Sequence, residues 1–375
     1  MSVNSCNEKW CSVGRLIKTF DRRNIDGLDY PFYGINKDKA FMPTVADTNN
    51  LDNTKYKIVE KGDFVFSGMQ TGRDVCIRIA LYDKEESILL SPAYTTFRIK
   101  DENKILPQYL FIQFNRLEMD RYGWFLSDGS IRSNLDWDRF CEIEIPLPSI
   151  EIQKKLVATY NGLKSLAEQN EALIEPLSKA CEAFIVDCKA KYSQENIGKY
   201  IEEYDERNSD GKKYPFYGIN KDKTFMHTVA DTNNLDNSKY KIVNKGNFVF
   251  SGMQTGRDIC IRIALYSGNE PIIISPAYTT FKIKDCKRIL PQYLFIQFKR
   301  YEMDRYGWFL SDGSIRSNLD WDRFCDIKIP LPPLEVQQSI VDLYKCLEEA
   351  KKIASEAREK LKTLCPALVQ RAANS

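Results

Sequence analysis

Tyr30-Pro31-Phe32-Tyr33-Gly34-Ile35-Asn36-Lys37-Asp38-Lys39 is repeated without change at Tyr214 through Lys223. Working outward, the identity spreads to Tyr30–Gln153 against Tyr214–Gln337, at a constant offset of 184 positions. Ser67-Gly68-Met69-Gln70-Thr71-Gly72-Arg73-Asp74 returns as Ser251 through Asp258, and Arg121 through Phe140 returns unaltered as Arg305 through Phe324. A period this long is no solenoid repeat; it is a whole domain with its connector, used twice. Upstream, Val13-Gly14-Arg15-Leu16-Ile17 parallels Ile197-Gly198-Lys199-Tyr200-Ile201, so each copy starts near residue 12 or 196.

Within a copy, Tyr30–Lys100 reads as short β-branched and aromatic runs bounded by turn signals, such as Tyr56–Val59 and Phe64–Phe66. Leu106-Pro107 opens a helix that the pattern carries to about Tyr122, proline suiting an early helical position. A polar loop follows at 127–134, then a short helix around Asp136–Phe140 and an edge strand ended by Pro146 and Pro148. From Glu151 the apolar period becomes helical. Leu156, Tyr160, Leu163, Ala167, Asn170, Ile174, Leu177, Cys181 and Phe184 mark a heptad seam, with Pro176 expected to kink it. The second copy answers with Ile340, Tyr344, Leu347, Ala354, Leu361, Cys365 and Leu368, and with Lys351 and Arg358 at seam positions.

The fold class expected is therefore α+β. Two near-identical α/β domains are separated by two long antiparallel coiled-coil helices, related by a pseudo-two-fold axis. The expected boundaries are 1–153, 154–192, 193–337 and 338–375.

The chain carries 54 Lys+Arg against 52 Asp+Glu, a net charge of +2, so any polyanion surface must be local. No apolar run approaches the roughly 20 residues of a membrane span, and no signal pattern opens the chain, so the cytoplasm is expected. Cys76/Cys260, Cys141/Cys325 and Cys181/Cys365 recur among apolar neighbours and read as buried free thiols. The one histidine, His227, faces Pro43 at the repeat offset, and no metal-ligand spacing appears. Phosphate-loop, dinucleotide and nucleophile-elbow motifs are absent, so neither catalysis nor a cofactor in this chain is expected.

Three loops per copy mix glycine with long hydrogen-bonding side chains. Tyr33, Asn36, Lys37 and Lys39 belong to the first, and Ser67, Gln70, Thr71 and Arg73 to the second. Ser130, Arg132 and Asn134 belong to the third. Their counterparts are Tyr217, Asn220, Lys221, Lys223, Ser251, Gln254, Thr255, Arg257, Ser314, Arg316 and Asn318. Arg and Lys suit guanine edges, Gln and Asn suit adenine, and Ser or Thr suits either or phosphate. Lys37, Lys39, Lys104 and Arg121 are the expected phosphate contacts. A duplicated set of such loops, held apart by a spacer, matches duplex geometry. The tyrosines and phenylalanines read as core.

Lys61-Gly62-Asp63-Phe64-Val65-Phe66-Ser67, Ser91-Pro92-Ala93-Tyr94 and Ile145-Pro146-Leu147-Pro148-Ser149-Ile150-Glu151-Ile152-Gln153 each return in the second copy nearly unchanged. Followed by long helices, they resemble the specificity subunit of type I restriction-modification enzymes over nearly the whole chain. The resemblance implies two target recognition domains that each read half of a split double-stranded DNA site. It implies helices that space them and dock two methyltransferase subunits, with nuclease/translocase subunits joining for restriction. AdoMet, ATP and Mg²⁺ would belong to those partners. Relatives of this kind usually carry unlike domains. Equal halves here imply a palindromic split site. Two other readings stay open: a repeat scaffold for protein partners, and the specificity subunit of a related methylate-and-cut system.

Overall fold

The computed structural model describes residues 10–44, 51–228 and 236–374, with side chains of the last helix described through residue 363. The chain forms two compact units, 1–169 with 353–375, and 170–352.

In the first unit the strands are β1 (Trp10–Ser12), β2 (Ile17–Phe20), β3 (Phe32–Ile35), β4 (Phe41–Pro43), β5 (Lys57–Val59), β6 (Phe64–Ser67), β7 (Arg78–Leu81), β8 (Ile88–Leu90), β9 (Thr95–Ile99) and β10 (Glu144–Pro146). The helices are α1 (Val13–Leu16), α2 (Thr71–Asp74), α3 (Pro107–Phe114), α4 (Leu117–Leu126), α5 (Trp137–Glu142) and α6 (Ile150–Lys191). One sheet runs β2-β9-β6-β7, wholly antiparallel; the other runs β4-β3-β8-β5 with β3 and β8 parallel. β6 is buried on both faces, and strand alternation divides its side chains between two cores. Phe64 and Phe66 point to the larger core with Phe97, Tyr109, Phe114 and Phe140. Val65 points to the smaller one with Ile35, Val59, Ile88 and Leu90. Phe64 stacks on Phe97 at 4.9 Å, directly across the β6–β9 register. The second unit repeats this order from Gln194–Asn196 to Lys328–Pro330, with matching cores.

The helix expected as one piece to about Tyr122 is two helices, α3 and α4. Arg116 takes an extended backbone (φ −86°, ψ 138°) between them. The turn folds α4 back over α2, burying Met119 and Gly123. A Cβ on Gly123 would stand 2.3 Å from Ile77 Cγ1, which shows how closely α4 lies on the segment leading into β7. A straight continuation of α3 would have carried Met119 away from the core.

The junction to the long helix is a hydrogen-bond lock. The buried Gln153 side chain accepts from Leu106 N at 2.9 Å and donates to the carbonyls of Lys104 and Pro148, each at 2.9 Å. Gln337 does the same with Leu290, Arg288 and Pro332. β1 and β10 pair alongside, with Trp10 opposite Pro146.

α6 has 42 residues and runs through Pro176; the C-terminal helix Leu334–Asn374 has 41. The start of each shares a compact unit with the end of the other, so they pack antiparallel. In the second unit Cys181 lies beside Cys346, Glu348 and Lys351. The seam differs from expectation at its ends. Phe184 is exposed; Ile185 and Cys188 take the buried positions and join the larger core of the second unit. Lys351 is exposed and Arg358 half-buried, while Ala350, Ala354 and Ala357 fill the seam. Alanines there let helix axes approach at the short end of the usual 8–10 Å. Cys365 and Leu368 lie outside the residues whose side chains are described.

Among the described residues, Cys76, Cys260 and Cys181 are buried thiols, and Cys141 and Cys325 are half-buried. No helix there is long and apolar enough to cross a membrane.

Candidate nucleic-acid interface

The structure brings the second and third loops into one assembly. Gln70 N donates to Asn134 Oδ1 at 2.9 Å, Gly72 N to the Ser133 carbonyl at 2.8 Å, and Leu135 N to the Gly68 carbonyl at 2.9 Å. The glycines are needed for this approach. A Cβ on Gly68 would meet the Leu135 carbonyl oxygen at 1.7 Å, and one on Gly72 would meet Ser133 Oγ at 1.9 Å. The first loop is tied in by Asp120 of α4. Its carboxylate accepts from Lys39 Nζ at 2.7 and 2.8 Å and from Ile77 N at 2.9 Å. Cys76 Sγ also donates to the Lys37 carbonyl at 3.2 Å. Asp304 makes the same three bonds in the second copy, to Lys223 and Ile261.

Backbone strain concentrates here. Among the described residues, the non-glycine positions with positive φ are Lys39, Gln70, Val75 and Ser133, with Lys223, Gln254, Ile259 and Ser317. All lie in or beside these loops. Val75 at 47° and Ile259 at 47° are β-branched, for which this backbone is a true outlier. Each such residue costs on the order of 1–3 kcal/mol and persists where surrounding structure over-determines it.

The candidate residues divide into three groups. Lys37, Arg73, Ser130 and Arg132 are exposed and Gln70 is half-buried. The Arg73 guanidinium is held by Gln70 Oε1 at 2.7 Å and by Asp74 Oδ1 at 3.0 Å. That hydrogen bond from Arg73, with a further one from Arg78, holds the Asp74 carboxyl below the usual aspartate range against the opposing effect of burial. Asn36 and Asn134 spend their side-chain oxygens on backbone amides, of Ala40 and Gln70. Tyr33 is half-buried against the smaller core. Ser67, Thr71 and Lys39 are buried. Lys39, expected as a phosphate contact, and its counterpart Lys223 are therefore not on the solvent side. Each ammonium is turned inward and neutralised by a carboxylate 81 positions further along the chain.

The second copy places Asn220, Ser251, Gln254, Thr255, Arg257, Ser314, Arg316 and Asn318 the same way. Two details differ. Lys221 Nζ lies 3.4 Å from Asp258, and the Tyr217 hydroxyl lies 2.8 Å from His227 Nε2, where Tyr33 faces Pro43.

One feature was missed in the sequence. Beside the loops, Tyr122, Trp124, Phe125 and Ile131 are exposed, Phe125 at 78% and Ile131 at 99%; Phe309 and Ile315 are at 80% and 99%. The expectation that tyrosines and phenylalanines are core does not hold for Tyr122, Phe125 and Phe309, which α4 and its counterpart carry on their exposed faces. Among the described residues no cluster of three or more His, Cys, Asp or Glu stands ready for a metal.

The model of the type I restriction modification DNA specificity domain matches residues 11–176 and again 194–363. The chain belongs to that family. It is a specificity subunit of a type I restriction-modification system, and such subunits are non-catalytic DNA-recognition subunits. The chain is 21% identical over 369 residues to a putative type I restriction enzyme MjaX specificity subunit of Methanocaldococcus jannaschii, covering 91% of this chain and 85% of that protein. Among solved structures, the type I restriction-modification S subunit from M. genitalium superposes with a TM-score of 0.62 at 14% identity, over 99% of this chain and 98% of that one. The HsdS subunit from Thermoanaerobacter tengcongensis aligns over 97% and 95%, at 16% identity and a TM-score of 0.38. The first of these shares the fold, two repeated mixed domains with long helices.

Proposed function

We propose that this specificity subunit reads a split, palindromic DNA site, each half by one copy of the loop assembly. The domains are 1–153 and 193–337, and the helices 154–192 and 338–375 space them. In this reading two methyltransferase subunits dock along the spacer, nuclease/translocase subunits join for restriction, and the complex works with DNA in the cytoplasm. AdoMet, ATP and Mg²⁺ act in those partners. The observation that carries the reading is the recurrence of the same strained loop assembly in both copies, with Gln70, Arg73 and Arg132 in equivalent settings to Gln254, Arg257 and Arg316. Equal groups in equal geometry select equal bases, and two equal half-sites about a dyad form an inverted repeat. Lys37 and Lys221 supply phosphate contacts, with Arg121 and Arg305 beside them.

The test is methylated-base mapping in a host expressing this chain with its candidate methyltransferase subunit. A palindromic split motif methylated in both halves is expected. An asymmetric motif would overturn the equal-reader argument, and no methylation dependent on this chain would overturn DNA reading itself.

A further inference from the structure

One of the charge differences between the two copies lies at the junction with the end of α6, away from the reading loops. In the second unit a cavity of about 340 Å³ opens between the end of α6, the strand pair Gln194–Asn196 and Lys328–Pro330, and the start of the helix Tyr301–Leu310. Lys189, Arg300 and Lys328 line it, with Glu302 as its one carboxylate and Met303 and Tyr306 as its apolar side. That carboxylate is shared with Arg305, 3.2 Å away. Nε and Nη1 of Arg300 are buried with no hydrogen-bond partner among the described residues. Burial lowers the basicity of Arg300 and of Lys189, and Arg300 lowers Lys189 further. Glu302 and, from α6, Glu182 offset this only in part, so buried like charges are held together at a standing cost that an anion reduces.

At the repeat-equivalent positions the first copy has the opposite balance. Arg116 lies 3.7 Å from Glu118, Glu144 stands where Lys328 does, and Trp10 stands where Gln194 does. Among the described residues, three lining cations against one lining carboxylate become one cation against two.

We propose that this cavity seats a carboxylate from an acidic segment of a protein partner, once per chain, with an apolar neighbour against Met303 and Tyr306. The choice of protein over DNA rests on the equal-reader proposal above. A phosphate contact would have a dyad-related twin at the first copy, where Glu144 repels it. An acidic protein segment has no such requirement. The seat therefore distinguishes the two ends of a chain whose reading loops do not.

The experiment uses the full chain and a fluorescein-labelled hexaglutamate peptide, followed by anisotropy at low salt, beside a duplex carrying the mapped site. Lys328→Glu is expected to weaken the peptide by about tenfold or more, Lys189→Ala to weaken it less, and Glu144→Gln in the first copy to change nothing. Duplex affinity and melting temperature are expected to hold, since Lys328 is exposed. Peptide binding unchanged by Lys328→Glu and Lys189→Ala overturns the seat. Duplex weakened as much as peptide assigns the cavity to phosphate and overturns it equally. A duplex arm without sequence preference sinks the DNA reading while the peptide comparison still decides the seat.

Discussion

Asp120→Ala removes the carboxylate that ties the first loop to the segment just after the second. The side chains of Lys39 and Asp120 are 6% and 14% exposed. Removing one partner of a buried pair leaves an uncompensated charge, which costs about 3–5 kcal/mol. Ile77 N loses its acceptor as well, and an unmet buried donor adds about 1–3 kcal/mol where solvent does not reach it. The charge alone, at about 3–5 kcal/mol, lowers the melting temperature of a unit this size by roughly 6–20 °C, and the amide lowers it further. The assay is urea and thermal unfolding of the full chain. Because the protein has two compact units, the transition of the first is expected to move and that of the second to stay; Asp304→Ala reverses the pattern. Lys39→Met combined with Asp120→Leu is expected to recover most of the loss, since apolar replacement of a buried pair is often neutral or better. A loss below about 1 kcal/mol for Asp120→Ala, or a double variant no better than the single, would refute the claim that this pair anchors the loops.

Gly68→Ala drives a methyl into the Leu135 carbonyl; at least about 1–3 kcal/mol of strain and loss of selective DNA binding are expected, read by unfolding and by competition between specific and random duplexes. Ala354→Leu overfills the seam and is expected to cost about 1–3 kcal/mol by thermal melting, whereas Lys351→Leu on the exposed side is not. Acid is expected to release the loops. The Asp74 carboxyl is held low by Arg73, and that of Asp128 by the Ser130 hydroxyl and backbone amides. A carboxylate depressed in the fold stabilises it above its unfolded value and loses that contribution as pH falls through the folded one. Specific binding is therefore expected to be insensitive to these groups from about pH 5 upward, and lost below the ordinary aspartate range, as followed by anisotropy across pH.

Much of this was legible without coordinates. The 184-residue recurrence established the duplication, the 3–4 spacing established the long helices, and β-branched and aromatic runs bounded by turn signals, such as Phe64–Phe66, established the strands. These are local signals, set by backbone period and side-chain type alone. The break at Arg116 was not legible, because residues 107–122 satisfy a helical period throughout. Only the core that receives Met119 decides where the chain turns.

The same division runs through the interface. Residue types and glycines marked three loops, since a base-reading surface needs those donors and acceptors wherever it folds. Which of them face solvent depended on partners far along the chain. Lys39 and Lys37 look alike in sequence, yet Lys39 meets Asp120 and is buried while Lys37 stays in water. Trp124 and Phe125 look like core and are exposed. Burial is a property of what packs on a residue, and here the packing elements lie tens of residues away, so the tertiary fold alone determined which side chains face solvent.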